Sequence, residues 1–391
     1  MPVDLLRPRR VGLNAHLLSL DRNYRGAGIN GYICQLLRHL PAVGGDEMPL
    51  LQYRAYLHDA QFEASPGLSV CRSRWDTGGP WRRIAWEQTR LAANSPNLDL
   101  LHGLAFATPL ACACPTVVTV HDLSFLRFPN AFRRFNRSYL SFITRVSTRK
   151  AARVIAVSES TRQDVITFFG VPGEQVVVVA NGVAEEFHPA DPTQVADFRR
   201  RKGLPERFIL FLGTLEPRKN IVRLLEAYAL WWRTLPEGVN DAPALIIAGA
   251  KGWFYETIFA RVNDLGLAER VIFPGFVPTE ELPWWYRAAE LFVYPSLFEG
   301  FGLPVLEAMA CGTPTITSNA SSLPEVAGDA ALLIDPEDTE GLAAAMAHVL
   351  AEPEVAARMR AAGLRQAARF SWASTAAQTA DVYRTVLGGA R

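Results

Sequence analysis

The sequence predicts an α/β protein built as two parallel-sheet domains, and three observations predict it. The chain has 391 residues, room for two domains of ordinary size. Short apolar runs rich in β-branched residues alternate with stretches of helical spacing, the pattern of strand–helix–strand units. The clearest unit, Leu291–Pro324, reads LFVYPSLFEGFGLPVLEAMACGTPTITSNASSLP: a buried strand, a glycine-bearing loop, a short helix and a second strand. Hydrophobic residues make up 49% and charged residues 20%, as in a soluble globular protein.

Taken in order, Arg10–Ala15 reads as the first strand. Gly26, Gly28 and Gly31 then satisfy the G-x-G-x-x-G spacing and open a helix through Leu40. That spacing is a dinucleotide fingerprint when it directly follows its strand and an acid stands roughly 20 positions on. Here a loop intervenes and Asp59 lies too far away, so the run does not argue for NAD. Leu51–His58 is the second strand. WRRIAWEQ is expected as a helix, with Trp75, Trp81 and Trp86 covering core and arginines outside; a ligand-binding role is the alternative. Leu98–Leu101 and Thr116–Val120 are further strands. The second delivers His121 and Asp122 at its C-terminal end, where α/β sheets place ligands, although a structural histidine fits the local pattern too.

Phe132, Phe135, Tyr139, Phe142 and Val146 share one arc of a helical wheel, with Arg133, Arg134, Arg137 and Arg145 on the other side. This is an amphipathic helix, packed on its own sheet or meeting an anionic partner through its basic face. ARVIAV is a strand, followed by Ser158 as an N-cap. VVVVANGV ends a further strand at Asn181-Gly182-Val183. Pro189–Pro192 is the expected linker, giving a first domain over 1–189 and a second over 190–371.

The second domain begins with strand Arg207–Leu212, then GTLEPRKN and a helix from Ile221 to Trp232. Ala244–Gly249 is a strand, Trp253–Leu265 a helix, and VIFPGFVPTEEL the next strand and turn. After Leu291–Tyr294, Pro304 suits a first helical turn, Val305–Cys311 is a helix, Gly312 fits its C′ position and Pro314 blocks continuation. Thr315–Thr317 and Ala330–Ile334 are strands. Helices over Thr339–Ala351, Glu354–Arg369 and from Trp372 through Leu387 close the chain.

Two carboxylates, Glu299 and Glu307, frame the loop after Leu291–Tyr294. Bare loop glycines let a ligand approach the backbone, and the helix start offers unpaired N–H groups to an anion. Carboxylates accept hydrogen bonds from hydroxyls, so a ligand with both hydroxyls and phosphates matches; a solvated Glu299 and a dipole-favoured Glu307 are the bland alternative. Arg218 and Lys219 stand on another loop at a strand's C-terminal edge, where a guanidinium fork and an ammonium would suit a diphosphate.

PSLFEGFGLPVLEAMACGTPTITSNASSLPEV closely resembles the E-x7-E signature of retaining glycosyltransferases of family 4, and VTVHDLSF, VVVVANGV and GTLEPRKN extend the resemblance over most of the chain. It implies the GT-B fold: two Rossmann-like domains facing a cleft, the first for acceptor and the second for donor, with helix 372–391 crossing back to the first. It implies that Glu307 holds the donor's ribose, and that Glu299 with the backbone of Phe301, Gly302 and Leu303 holds the transferred sugar and diphosphate. His121 would contact sugar hydroxyls, Arg218 and Lys219 the diphosphate, Gly28 the donor phosphate, and the backbone at Phe276 and Val277 the base. EPRKN resembles mannosyltransferases, which points to GDP-mannose as donor and to a glycan or lipid-linked acceptor. A sugar-nucleotide epimerase and a non-catalytic nucleotide-sugar-binding partner are the other classes this resemblance admits.

The formal charge of +1 argues against bulk attraction to nucleic acid. There is no D-x-D and no H-E-x-x-H, so metal-free transfer without a cofactor is expected. The N-terminus lacks a signal peptide's apolar core, and no run reaches the roughly 18 apolar residues of a membrane span. Cys34, Cys71, Cys112, Cys114 and Cys311 read as reduced thiols of a cytoplasmic protein. Family members that use membrane-linked acceptors add one expectation: peripheral contact between the 130–150 helix and anionic lipid at the inner membrane face.

Overall fold

The computed structural model describes residues 7–20, 28–43, 49–129, 134–236 and 242–389. It divides the chain into two compact units, Met1–Gly182 with Ser371–Arg391, and Val183–Phe370.

Among the described residues of the first unit, seven strands form one parallel sheet in the order β3-β2-β1-β4-β5-β6-β7. They are β1 Arg9–Asn14, β2 Leu51–Leu57, β3 Leu68–Arg72, β4 Leu100–Gly103, β5 Thr116–Val120, β6 Arg153–Ala156 and β7 Val176–Val178. The central strands are apolar on both faces, as parallel strands covered by helices must be: β5 (TVVTV) is buried throughout. The edge strand β3 (LSVCR) is mostly exposed and lacks that signal, which is why the sequence reading passes over it. Val11 lies opposite Leu100 and Asn14 opposite Gly103, so β1 and β4 end together. Strand order reverses between β1 and β4, the switch point where an open α/β sheet binds ligands.

The final helix, Trp372–Gly389, belongs to this unit. The Thr375 hydroxyl donates to the Ala180 carbonyl at 2.7 Å and Arg384 donates to the Val43 carbonyl at 3.1 Å. Tyr383 is fully buried, with its hydroxyl 2.6 Å from His102 Nδ1.

The second unit repeats the plan, its described residues forming six parallel strands in the order β10-β9-β8-β11-β12-β13. They are β8 Phe208–Leu212, β9 Ala244–Ala248, β10 Val271–Gly275, β11 Leu291–Tyr294, β12 Thr315–Ser318 and β13 Leu332–Ile334. Here the switch point lies between β8 and β11, where Leu291 is opposite Ile209. The segment after Gly182 is fastened within this unit, because Arg287 donates to the carbonyls of Glu186 and His188 at 2.6 Å each. Pro192 is the first residue of helix Pro192–Lys202, capped by Asp191, whose carboxylate accepts from the Thr193 amide at 2.8 Å.

Two expectations about side-chain placement are corrected. Trp86 is buried, but Trp81 is 63% exposed and Trp75 42% exposed, so they do not cover core. Trp81 sits at the start of helix Pro80–Trp86 and Trp86 at its end, too far around the helix to share a face. In helix Arg134–Lys150, Phe142 is 58% exposed, while Ile143, Thr144, Ser147 and Thr148 are buried. Hydroxyls make that turned face possible: Thr148 donates to the Thr144 carbonyl at 2.8 Å, and Ser147 accepts from the Thr108 amide at 3.0 Å. Phe132 and Arg133 lie outside the described residues.

Candidate active site

The C-terminal edge of the second sheet carries a closed knot of charge. The loop after β8 brings Glu216, Arg218 and Lys219, and the loop after β11 brings Ser296 and Glu299. The loops are tied together: Leu297 N–H donates to the Arg218 carbonyl at 2.9 Å, and the Asn220 side-chain amide donates to the carbonyls of Pro295 (3.1 Å) and Pro336 (2.7 Å). Asn220 adopts φ +59°, a left-handed geometry that asparagine tolerates better than most residues.

Glu299 is the centre. Its Oε1 accepts from Lys219 Nζ at 2.6 Å, Ser296 Oγ at 2.7 Å and Tyr294 OH at 3.0 Å. Its Oε2 accepts from Arg218 Nη1 at 2.9 Å. Arg218 also reaches Glu216 Oε1 through Nη2 at 2.7 Å and the Phe298 carbonyl at 2.9 Å. Lys219 is buried, with Nζ 2.5 Å from Tyr294 OH. Burial alone would raise the Glu299 carboxyl; the charges of Lys219 and Arg218, with hydrogen bonds from Lys219 and Ser296, outweigh it and hold the group at about 2. Lys219 moves below its ordinary value, first through burial and then through Arg218's charge, against the opposing pull of Glu299 and Glu216. Two cations and two carboxylates thus cancel within the knot. Glu216 was missed by sequence reasoning, although its place in GTLEPRKN on the same loop as Arg218 was a signal for it.

Beside the knot, Ser322 Oγ donates to the carbonyls of Glu299 (3.0 Å) and Phe301 (2.8 Å), and Ser321 Oγ accepts from the Glu299 amide at 2.8 Å. The loop is thereby fixed before helix Leu303–Ala310 begins. Gly302 has φ +110°, a backbone conformation that favours glycine, and a Cβ there would stand 2.7 Å from Leu323 Cδ2. No side chain caps this helix and Pro304 has no N–H, so the amides of Phe301, Gly302 and Leu303 are the donors at its start.

Glu307 belongs to a separate set on the same helix. It is half-buried and its Oε2 accepts from Tyr286 OH at 2.9 Å. Burial, with Glu186 nearby, pushes its carboxyl up to about 7 against that hydrogen bond. Val277 is buried just past β10, beside Phe276, which is 41% exposed.

The first unit places the remaining candidates. Gly28 has φ +64°, and its carbonyl accepts from the Tyr32 amide at 3.0 Å at the start of helix Ile29–Val43; Gly26 lies outside the described residues. His121 follows β5 and is buried, with Nε2 2.9 Å from the Leu104 carbonyl. A carbonyl only accepts, so Nε2 carries the proton and Nδ1 keeps its lone pair. Burial lowers the imidazole to about 4, so it is neutral at neutral pH. The rings of Tyr32 (4.6 Å) and Phe106 (5.7 Å) meet it edge-on. Phe106 itself holds φ +61°, a strained position of the kind that clusters at functional sites.

Behind His121, Tyr32 OH is 3.0 Å from Thr119 Oγ1, which is 2.8 Å from His102 Nε2. Past the end of β1 a second polar group was also missed. Asn14 Nδ2 donates to Glu87 Oε1 at 3.2 Å, and His16 Nδ1 lies 3.0 Å from Thr77 Oγ1. Among the described residues His16 Nε2 is buried with no hydrogen-bond partner, and Glu87 opens a π-helical turn, Glu87–Leu91, a rare geometry often found at functional sites. These contacts join positions far apart in sequence, so no local pattern revealed them.

Two doubly wound parallel sheets, each with polar side chains at its switch point, are the architecture of GT-B glycosyltransferases. Residues 194–366 match the domain described as glycosyl transferases group 1, and residues 26–187 match glycosyltransferase family 4. The chain is 35% identical to O-antigen chain mannosyltransferase B of Escherichia coli, over 78% of this chain and 77% of that protein. It is 35% identical to the serotype-specific mannosyltransferase WbdA of Escherichia coli over 67% of its length, but spans only 32% of that longer protein. Sucrose-phosphate synthase from Thermosynechococcus elongatus shares the fold, with a TM-score of 0.77, 23% identity, and coverage of 98% of this chain and 100% of that one. The chain belongs to the group 1 and family 4 glycosyltransferases, and it is a transferase.

Proposed function

We propose that the chain moves mannose from GDP-mannose to a hydroxyl of a glycan or lipid-linked acceptor, with retention at the anomeric carbon and without a metal. The observation that carries this reading is the knot of Arg218, Lys219, Glu216 and Glu299 at the β8/β11 switch point, next to an uncapped helix start. A departing nucleoside diphosphate gains negative charge in the transition state, and fixed cations and amides accelerate such a step. Arg218, Lys219 and the amides of Phe301–Leu303 take that charge. Glu299 holds both cations in place, and the remaining lone pair of Oε2 accepts from the transferred sugar. Glu307 accepts from the donor's ribose hydroxyls. The neutral His121 accepts a sugar hydroxyl at Nδ1. Gly28 and the backbone at Val277 contact the donor phosphate and base. Mannose is supported by the names of the two Escherichia coli relatives.

On the acceptor side, Asn14, His16 and Glu87 at the β1/β4 switch point offer neutral and carboxylate hydrogen-bonding groups suited to a saccharide. The exposed Phe142, beside Arg145 on helix Arg134–Lys150, supports peripheral contact with anionic lipid. Among the described residues no helix is long and apolar enough to cross a membrane.

A thermal-shift panel with GDP, UDP, ADP and dTDP and their sugars, all in EDTA, tests the donor. Ligand at 100 times its dissociation constant adds about 2.7 kcal/mol of stability. The expected outcome is a shift with GDP and GDP-mannose. A shift with another nucleotide alone would discard this donor, and a strict metal requirement for turnover would contradict the metal-free step.

A further inference from the structure

The connection between β4 and β5 holds two thiols that no part of the proposed transfer uses. Cys112 Sγ and Cys114 Sγ are 3.6 Å apart, and both residues are half-buried. In a straight strand, side chains two residues apart share a face but stand well separated. Here the chain bends at Ala113 and Cys114, which brings the sulfurs into contact. The bend is fixed. The Ala113 amide donates to Ser95 Oγ at 2.8 Å, and Ser95 Oγ donates to the Ala92 carbonyl at 2.7 Å. On the far side, the Pro115 carbonyl accepts from the Leu101 amide at 3.0 Å. Both thiols lean on the core cluster of Tyr56, Trp86, Leu91, Leu98 and Leu101, so they cannot easily swing apart. Of the other cysteines, Cys34 and Cys311 are buried and Cys71 is exposed.

We propose that Cys112 and Cys114 form a two-thiol redox pair that closes to an intramolecular disulfide under a peroxide. Cys112 is the attacking sulfur: the hydrogen bond with Cys114, 3.6 Å away, works against burial and draws the Cys112 thiol below its ordinary value, which favours its thiolate. That thiolate attacks one oxygen of hydrogen peroxide and expels hydroxide, leaving Cys112 as a sulfenic acid. The sulfur of Cys114, held up as a thiol by the hydrogen bond to Cys112 and by burial, is released once Cys112 has lost its charge. It attacks the sulfenic sulfur and expels a second hydroxide. The two thiol protons end on the two hydroxides, so two thiols and one peroxide give one disulfide and two waters. The sulfurs close from 3.6 Å to a bond of about 2.05 Å by side-chain rotation.

The test is peptide mapping of the full chain after hydrogen peroxide treatment and alkylation. The peptide spanning Cys112 and Cys114 is expected to lose the mass of two hydrogens and to regain both thiols with dithiothreitol, while Cys71 is alkylated normally. Cys114→Ser should stop at a dimedone-trapped sulfenic acid on Cys112, and Cys112→Ser should give no sulfenic acid at Cys114. Circular dichroism confirms that each variant folds. Full alkylation of both thiols after peroxide, progress of wild-type Cys112 to sulfinic acid, or linkage of either cysteine to Cys71 would each overturn the proposal.

Discussion

The two units share a plan and differ in what stands at the ligand edge. In Val183–Phe370 the edge is ionic: four charged groups balance one another around Glu299. In Met1–Gly182 the set around His121 is neutral: His121, His102, Thr119 and Tyr32 are buried together and burial keeps both imidazoles uncharged, while a carboxylate, Glu87, stands by Asn14 at the β1/β4 switch point. The same fold therefore offers one edge whose cations can manage the charge of a diphosphate and one whose buried neutral groups suit hydroxyls. A self-balanced knot also explains how Lys219 stays buried before any ligand arrives.

The largest effect that could break this contrast is removal of Glu299. Glu299→Ala leaves buried Lys219 without its counter-ion. Loss of about 3–5 kcal/mol in urea unfolding is expected, together with loss of transfer. A loss near that of a surface substitution would show that the edge is not a closed knot. Next, Lys219→Ala should lower turnover by about 10²–10³-fold if it stabilises the leaving group. Lys219→Arg should not rescue, because the buried slot between Tyr294 and Glu299 fits an ammonium and not a planar fork. On the neutral side, His121→Ala should cost about 10–100-fold in kcat/KM if one sugar hydrogen bond is lost. The wild-type rate should show no inflection from His121 near neutral pH, since it titrates at about 4.

A subtler test sets the two glutamates against each other. Glu299 falls from an ordinary 4.5 to about 2 on folding, so its stabilisation is present above 4.5 and is lost as pH drops toward 2. Glu307 rises from 4.5 to about 7, so the fold is favoured while it is protonated, and that advantage fades as pH rises from 4.5 through 7. Donor hydroxyls favour the carboxylate, so donor affinity should strengthen as pH rises through about 7. Glu307→Gln should flatten that dependence; an unchanged pH profile would remove Glu307 from the ribose role. The smallest effect is Phe142→Ser, which should alter folding by no more than about 0.5 kcal/mol yet reduce flotation with anionic liposomes. Equal flotation of both proteins would dismiss the membrane contact.

The sequence revealed most where chemistry is local. The apolar runs Leu291–Tyr294 and Thr116–Val120 match β11 and β5, and Thr339–Ala351 matches its helix, because burial on both faces and clear caps leave a one-dimensional trace. Resemblance drew attention to Glu299, Arg218 and Lys219, and the fold brings them together. Ser296 and Glu216 lie within three residues of Glu299 and Arg218 and were legible only as neighbours of those charges. Resemblance did not disclose that Tyr294 meets Lys219, since a hydrogen bond across 75 positions leaves no periodicity. The same holds for His16 with Thr77 and Asn14 with Glu87. Trp81 and Phe142 mislead in the opposite direction: aromatic identity suggests core, but small hydroxyl residues fill the buried face of Arg134–Lys150.

The most direct measurement is isothermal titration of GDP into the wild-type chain and into Arg218→Ala, both in EDTA. If the β8/β11 edge holds the diphosphate, the wild type binds and Arg218→Ala binds at least about tenfold more weakly, a loss of about 1.4 kcal/mol. Equal affinity in the two proteins, or no binding of GDP to either, would contradict the account.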